Sequence, residues 1–209
     1  MSEELKDNGN FKNKNTSKKR SKAYIFLLVL LIILLILIIV AIVFEYQDYN
    51  EALEEGWIPV DEVDISSEIE TDAVATLSIP SLNDDFYIDM PIKNSTELST
   101  LAVAIGHFDG TPWVSGNVCL AAHNSGINSL GNYVGYFDKI KNLNEGDLIY
   151  YTYDNVTYTY EVLYVTKISE TDTSVLENTE EDILTLITCV KGSSNRGYRY
   201  LVVAEKIED

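Results

Sequence analysis

The feature that most constrains this chain is an uninterrupted apolar run close to its first residue. Residues Ala23 to Phe44 are 22 consecutive positions without a charged side chain. As an α-helix, which rises about 1.5 Å per residue, the run is about 33 Å long and can cross a bilayer core. It is longer than the apolar core of a signal peptide, and no A-x-A-like cleavage site follows it. We therefore predict a retained transmembrane anchor, with a cleaved signal peptide as the alternative.

The residues before the run predict its orientation. Residues 1–22 contain seven basic and three acidic side chains, and they have too little apolar surface to offset the entropy of ordering, so we expect a disordered tail. Because positively charged flanks stay in the cytoplasm, this tail should be cytoplasmic. The rest of the chain should then lie outside the cell, held at the cell membrane by the single span at 23–44.

The chain beyond the apolar run is strongly acidic. Residues 45–209 hold 8 basic and 30 acidic side chains. This balance argues against a nucleic-acid partner, because binding phosphates requires a basic surface. Residues 45–72 show little periodicity and are interpreted as a linker. Residues 73–209 have the length of one folded domain.

The folded domain has the sequence pattern of a β-protein. Short runs rich in Tyr, Val, Ile and Thr are bounded by turn residues, as is typical of strands. The segment "YYTYDNVTYTY" predicts a hairpin that turns near Asp154 and Asn155. Helices are expected only as short pieces, one of them capped by Asn94 or Ser95. The pattern predicts a mainly β fold, a closed or nearly closed barrel of about seven to eight strands.

One loop is rich in carboxylates. Residues 169–182, "SETDTSVLENTEED", carry six of them: Glu170, Asp172, Glu177, Glu180, Glu181 and Asp182. We interpret this segment as a solvated surface loop. Calcium is a weakly supported alternative, because hard cations bind several oxygens but the EF-hand spacing is lacking. The sequence therefore predicts no cofactor and assigns no metal ligands.

Few side chains of the outer portion can carry out thiol chemistry. The whole chain has two cysteines, Cys119 and Cys189, and two histidines, His107 and His123. Thiol chemistry needs a thiolate and a general acid or base, for which histidine is the usual choice. However, a cysteine in an apolar strand such as "LTLITC" is more often a buried small hydrophobe. Spacing alone leaves both interpretations open, together with a Cys119–Cys189 disulfide.

Two arginines follow Cys189 closely. Arg196 and Arg199 are the only arginines outside the basic tail, seven and ten residues after Cys189. A returning strand can bring either guanidinium beside the thiol, where a cation favours the thiolate. Arg199 could equally be a surface residue at the start of a strand.

Several segments, taken in order, resemble one family. "TLITC", ending at Cys189, resembles the TLxTC signature of the sortases, the cysteine transpeptidases of Gram-positive cell surfaces. "ATLSIPSL", "DMPI", "AIGH" and "GNVCLAAH" are similar to the family's I-x-IP, PI, G-x-GH and GN-x-x-(I/L)-A-(A/G)-H segments. "YFDKIKNLNEGDLIYY" and "RYLVVAEK" resemble its F-x-x-(L/I)-x-x-L-x-x-GD-x-(I/V) block and its closing R-x-x-V-x-(A/G) strand. The matches run from about Ala75 to Lys206, nearly the whole outer domain.

The resemblance implies a role for each matching residue. Cys189 matches the nucleophile, and His123 matches the catalytic histidine that ends the "GNVCLAAH" segment. Arg199, at the head of the last strand, matches the catalytic arginine, with Arg196 as the alternative. Thr188 is expected to help position the substrate or the oxyanion.

Two further residues are set apart by the same comparison. His107 matches the histidine of the G-x-GH segment, which is not the catalytic one. Cys119 departs from the family pattern, where a small apolar residue is usual. It has the same alternation parity as His123, so both side chains could face the same side of the strand. Cys119 is interpreted as a buried thiol; the alternative is a disulfide to Cys189, which would silence the enzyme.

The resemblance also implies an activity. The chain would cleave an LPxTG-like sorting signal between Thr and Gly through a Cys189 thioester, and would transfer the acyl group to a cell-wall amine such as a peptidoglycan precursor. A class A or class D-like member is favoured, because residues 45–72 lack the Asp-Pro-aromatic lid motif of pilus-assembling sortases. Two alternatives stay open: a non-catalytic membrane-tethered β-barrel for binding or adhesion, and a cysteine peptidase that only hydrolyses.

Overall fold

The computed structural model describes residues 13–54, 60–69, 72–191 and 197–207. The chain divides into two compact units, residues 1–57 and 58–209. Within the described residues, the first unit is one long helix and the second is built around a β-barrel.

Helix α1 runs from Asn13 to Glu54 and contains the predicted apolar run. Its segment Tyr24–Phe44 has a mean hydropathy of 3.9 and exposed side chains, and it is long and apolar enough to cross a membrane. The expected disorder of residues 1–22 is wrong for residues 13–22, which continue the helix. Because each residue added to a formed helix gains a hydrogen bond, the apolar helix propagates into its flanks. Residues 1–12 lie outside the described part of the chain.

Residues 60–69, which belong to the predicted linker, lie within the second compact unit. Ile65 is buried, and helix α2 spans Ser66–Ile69. The Lys93 ammonium contacts both the backbone carbonyl of Glu68 and its carboxylate, the latter at 3.7 Å. These contacts fasten the segment to the barrel.

The second unit contains a closed eight-stranded barrel. Its strands are β1 (Ala75–Ser78), β2 (Met90–Lys93), β3 (Ile105–His107), β4 (Asn117–Ala121), β5 (Leu148–Tyr153), β6 (Val156–Ser169), β7 (Ile183–Cys189) and β8 (Tyr198–Lys206). Around the barrel they are ordered β1-β2-β3-β4-β7-β8-β6-β5, and β5 returns to β1. The predicted mainly β barrel is confirmed.

The barrel is filled by side chains that alternate along each strand. On β7, Leu184 and Leu186 are buried in the core, where they join Leu120 of β4 and Val202 of β8. Burying one large apolar side chain stabilises the fold by about 1.5–3 kcal/mol. Because interiors are close-packed, the barrel holds its strand ends at fixed positions.

Turn chemistry explains the local connections. Asp154 and Asn155 have φ values of 50° and 62°, which confirms the predicted hairpin turn between β5 and β6. The short helix α3, Leu98–Leu101, lies between β2 and β3. The N-cap predicted at Asn94 or Ser95 is wrong, because Glu97 occupies the N-cap position. The Ser95 hydroxyl instead accepts a hydrogen bond from the Glu97 N–H at 3.0 Å and closes a turn before the helix.

The strand order brings three distant segments together. Strands β4 and β7 are parallel neighbours, and β8 runs antiparallel to β7. The last residues of β4 and β7 and the first residues of β8 therefore meet at one end of the barrel. This end carries the "GNVCLAAH", "TLITC" and "RYLVV" segments singled out in the sequence.

Candidate active site

The three predicted catalytic residues lie side by side at this end of the barrel. In the β7–β8 ladder, Cys189 pairs with Arg199. The β4–β7 ladder has Ala121 and Ile187 as its last pair, two residues before His123 and Cys189 respectively. Because neighbouring strands are about 4.8 Å apart, Cys189 has His123 on one side and Arg199 on the other.

Their side chains share the outer face of the barrel. The core residues Leu184 and Leu186 alternate along β7 with Thr185 and Cys189, so Cys189 projects outward. Residues paired across a ladder project on the same side of the sheet. A thiol and a guanidinium therefore meet on one surface, and the continuation of β4 adds an imidazole.

The two cysteines have opposite environments. Cys189 is exposed and Cys119 is fully buried, and both are free thiols. Cys119 pairs with Thr185, four residues before Cys189. Four strand residues span about 13 Å, whereas a disulfide requires Cα atoms within about 7 Å, so the Cys119–Cys189 bridge is excluded. The burial of Cys119 agrees with the predicted buried thiol, and this burial raises the pKa of Cys119 to about 12.

His123 is half-buried just beyond β4. Its backbone carbonyl accepts the Phe137 N–H at 3.1 Å, which fixes the chain after the strand. Burial lowers the pKa of His123, so the imidazole is mainly neutral at pH 7. Its Nε2 atom is buried and has no hydrogen-bond partner among the described residues. A ring nitrogen without a protein partner can form a hydrogen bond to a group that reaches it.

Arg199 is held by a carboxylate and a carbonyl. Its Nη2 atom lies 2.8 Å from Glu170 Oε2, and its Nη1 donates to the Tyr198 carbonyl at 3.0 Å. Glu170 was expected only as part of a solvated loop, because no local spacing connects it with an arginine 29 residues away. Arg196, the alternative catalytic arginine, lies outside the described residues.

Thr188 ties together the strands that carry Cys189 and His123. Its hydroxyl donates to the Ala122 carbonyl at 2.7 Å, and the residue is 2% exposed. It alternates with Cys189 and is therefore on the interior face of the barrel. The bond joins the residue before Cys189 to the residue before His123.

Asn117 fastens the loop between β6 and β7 onto the outer face. Its Nδ2 donates to the carbonyls of Val175 and Glu177, both at 2.9 Å. Its Oδ1 accepts the Thr185 hydroxyl at 2.7 Å. Asn117 is the asparagine of the matched "GN" segment, but its fastening function could not be predicted because its partners lie 58–68 residues away.

A cavity of about 230 Å³ lies beneath this loop. Its lining includes Asn117, Val175, Thr185, Leu201 and Val203. Thr185 shares the face of Cys189, about 13 Å back along β7. The cavity therefore lies on the same face of the sheet as the Cys189 thiol, and its wall contains both apolar and polar groups.

Replacing Asn117 by alanine should lower the free energy of unfolding by about 2–4 kcal/mol, because two carbonyls and a buried hydroxyl lose their partner. Urea unfolding of the full chain in detergent measures the change. The matched control is Asn94→Ala, since Asn94 is exposed. Equal stabilities of the two variants would contradict the fastening function of Asn117.

His107 lies away from Cys189 and has its own surroundings. It pairs with Leu120 in the β3–β4 ladder, three residues before His123. Its ring stacks on Trp113 with centroids 3.8 Å apart, and its Nε2 lies 3.1 Å from the Pro112 carbonyl. Because a carbonyl only accepts, Nε2 carries the proton. Burial lowers the pKa of His107 and keeps this neutral form.

The depressed pKa of His107 makes stability depend on pH. Below the ordinary histidine pKa of 6.5, the unfolded chain binds a proton that folded His107 resists, so the free energy of unfolding falls on acidification. We expect His107→Gln to lose less stability than the wild type between about pH 7.5 and 5.5. Urea unfolding at both pH values measures the difference. An equal loss in the two proteins would show that His107 does not contribute.

The described residues contain no group of three or more His, Cys, Asp or Glu side chains placed to hold a metal ion. Two carboxylates of the 169–182 loop have other contacts. Asp182 binds Lys206 at 3.1 Å, and Asp172 accepts the Ser174 hydroxyl at 2.6 Å. The calcium alternative gains no support from this part of the chain.

Comparisons with known proteins agree with the fold. The family model "Sortase domain" matches residues 77–207. Sortase A of Bacillus anthracis is 32% identical over 136 residues, which cover 64% of this chain and 60% of that protein. Sortase A of Listeria monocytogenes serovar 1/2a is 30% identical over 132 residues, which cover 63% of this chain and 55% of that protein. The chain thus spans somewhat more than half the length of these relatives.

A solved structure is similar as well. Sortase A from Corynebacterium diphtheriae superposes with a TM-score of 0.57 at 30% identity, covering 67% of this chain and 63% of that chain. The family model matches more than half of the sequence, and the matched residues form the closed barrel. The chain therefore belongs to the sortase family.

Proposed function

We propose that this chain is a membrane-anchored cysteine transpeptidase that cleaves an LPxTG-like sorting signal between Thr and Gly and transfers the acyl group to a cell-wall amine. The observation that carries the proposal is the exposed Cys189 thiol between the positions of His123 and Arg199. This row supplies a nucleophile, an acid–base group and a donor for negative charge.

Cys189 acts as the nucleophile. Its thiolate attacks the carbonyl carbon of the Thr residue, and the carbonyl oxygen becomes an oxyanion. The C–N bond to Gly then breaks, which leaves a thioester on Cys189 and an amine on the departing peptide. An acceptor amine attacks the thioester carbon, a new amide forms, and the thiolate leaves. The exposed end of β7 leaves room for the peptide to approach.

His123 transfers the protons. Its imidazolium protonates the departing amine, and the neutral imidazole then accepts a proton from the attacking acceptor amine. Because burial lowers the pKa of His123, the imidazolium is the minor form at pH 7 and a stronger acid than free histidine. The Nε2 atom has no hydrogen-bond partner among the described residues, so it is not committed to another protein group.

Arg199 stabilises the oxyanion or holds the peptide backbone. Donors aimed at charge that develops in the transition state typically contribute about 3–4 kcal/mol. The paired positions of Arg199 and Cys189 in the ladder support this role. We assign Thr188 a structural role in place of the expected substrate contact, because its buried hydroxyl is bonded to the Ala122 carbonyl.

The cavity beneath the β6–β7 loop suits the part of the peptide before the cleaved bond. An extended peptide advances about 3.3 Å per residue, so a side chain three residues before the Thr carbonyl lies about 10 Å from the thiol. Leu201 and Val203 of the cavity wall offer apolar contact at that range. A sorting signal lying along β7 would place its leucine there.

The long apolar helix supports a location at the cell membrane. Its segment Tyr24–Phe44 has the length of a single span, and the basic residues before it favour a cytoplasmic N-terminus. The catalytic domain would then be extracellular. There it would meet secreted sorting signals and acceptor amines of peptidoglycan precursors. The names of the sortase A relatives favour a class A-like enzyme.

An assay of the full chain in detergent tests this proposal. An LPxTG peptide and an amine nucleophile are supplied together, and mass spectrometry identifies the products. We expect a product in which the amine replaces the Gly segment. Absence of cleavage would favour a non-catalytic binding module. Cleavage without transfer, even at high amine concentration, would favour a purely hydrolytic peptidase.

A further inference from the structure

We propose that Glu170 is a positioning residue that holds the Arg199 guanidinium in the orientation that catalysis requires. The inference rests on the proposed function and adds a residue to its site. Glu170 follows β6, and the sequence pattern of the family segments does not include it.

The contact has a defined geometry. Glu170 Oε2 accepts from Arg199 Nη2 at 2.8 Å, while the Tyr198 carbonyl accepts from Nη1 at 3.0 Å. Two hydrogen bonds to different nitrogens of a planar guanidinium fix both its position and its plane. The side chains of Arg199 and Glu170 are 28% and 45% exposed, so the pair lies at the surface, where a peptide can reach it.

The backbone fixes both partners. The β6–β8 ladder runs to the pairs Ile168 with Arg199 and Ser169 with Tyr198. Beyond it, the Glu170 N–H donates to the Gly197 carbonyl at 2.9 Å. The end of the β6–β8 ladder therefore fixes the backbone position of Glu170, and the loop that follows does not. The next strand, β7, presents Cys189 directly opposite Arg199.

The chemistry argues for positioning rather than for folding. An exposed ion pair contributes little to stability, because water screens it and both side chains lose freedom. Orientation matters much more at a catalytic group, where a displacement of about 1 Å can cost about 100-fold in rate. Two other carboxylates of this region have different partners: Asp182 binds Lys206, and Asp172 accepts the Ser174 hydroxyl.

The first test replaces Glu170 by glutamine, which keeps the shape and removes the charge. We expect kcat/KM for transpeptidation to fall about 10- to 100-fold, mainly through kcat, with an unchanged melting temperature. The matched control is Glu180→Gln, an exposed carboxylate of the same loop, which should retain wild-type kinetics. Wild-type kinetics of Glu170→Gln would overturn the proposal, as would a loss confined to KM.

A double-mutant cycle tests whether Glu170 acts through Arg199. In an Arg199→Ala background, Glu170→Gln should cause no further loss of catalytic rate. The rate of single-turnover acyl-enzyme formation can be measured even in slow variants. An equal loss in both backgrounds would assign Glu170 an independent role and overturn the inference. If the proposed function itself fails, the wild type will form no acyl-enzyme. That result differs from a failure of the positioning role alone.

Discussion

Replacing Cys189 by alanine should leave a folded protein that forms no thioester. The thiol is the only group in the proposed mechanism that bonds covalently to the peptide, so its loss removes the reaction rather than slowing it. Because the side chain is exposed at the end of β7, the free energy of unfolding should change by no more than about 1–2 kcal/mol. This variant should therefore lose the reaction entirely and keep nearly the wild-type free energy of unfolding.

Mass spectrometry of the protein after incubation with an LPxTG peptide measures the acyl adduct directly. Cys119→Ala serves as the control, because Cys119 is buried about 13 Å along the sheet from Cys189 and should leave the adduct intact. An adduct that persists in Cys189→Ala would contradict the assignment of Cys189 as the nucleophile. Loss of the adduct in a folded Cys119→Ala variant would contradict it as well.

Replacing His123 by glutamine should lower the rate of transfer by about 10²–10⁴-fold, the usual contribution of a positioned general acid and base. Glutamine retains hydrogen-bonding groups but cannot deliver a proton to the departing amine. The loss should appear in kcat, since the peptide contacts along β7 remain. Single-turnover release of the Gly-containing fragment, followed by chromatography, measures the step.

His107→Gln is the matched control for this experiment. His107 is buried against Trp113 at another place in the sheet and should retain activity once its folding is verified. A similar loss of rate in both histidine variants would indicate that a general structural effect, rather than proton transfer by His123, explains the result.

Most of the barrel could be predicted because its signal is local. Alternating β-branched and aromatic residues report a strand with one buried face, and Asp154-Asn155 reports a tight hairpin. Strand β3 is harder to find, since three residues are too few to show a period. The helix caps at Asn94 and Ser95 were wrong because a nearby turn competes for the same polar groups.

The residues of the candidate site also differ in whether local sequence could identify them. Cys189, His123 and Arg199 stand in short motifs, so a resemblance confined to the sequence could single them out. Glu170 and Asn117 stand out in no comparable way, because what they do depends on partners far along the chain. The burial of Cys119 under the β6–β7 loop likewise needs both elements in place.

The sequence by itself determined the apolar helix, the β-rich domain and the identity of the few side chains capable of thiol chemistry, because period, length and composition are properties of neighbouring residues. Only the tertiary structure decided that Cys189 is exposed between His123 and Arg199, that Cys119 is out of reach, and that Glu170 holds the arginine. These facts depend on which strands are adjacent and in what register. Register follows from closing the whole barrel around one core, which no single segment encodes.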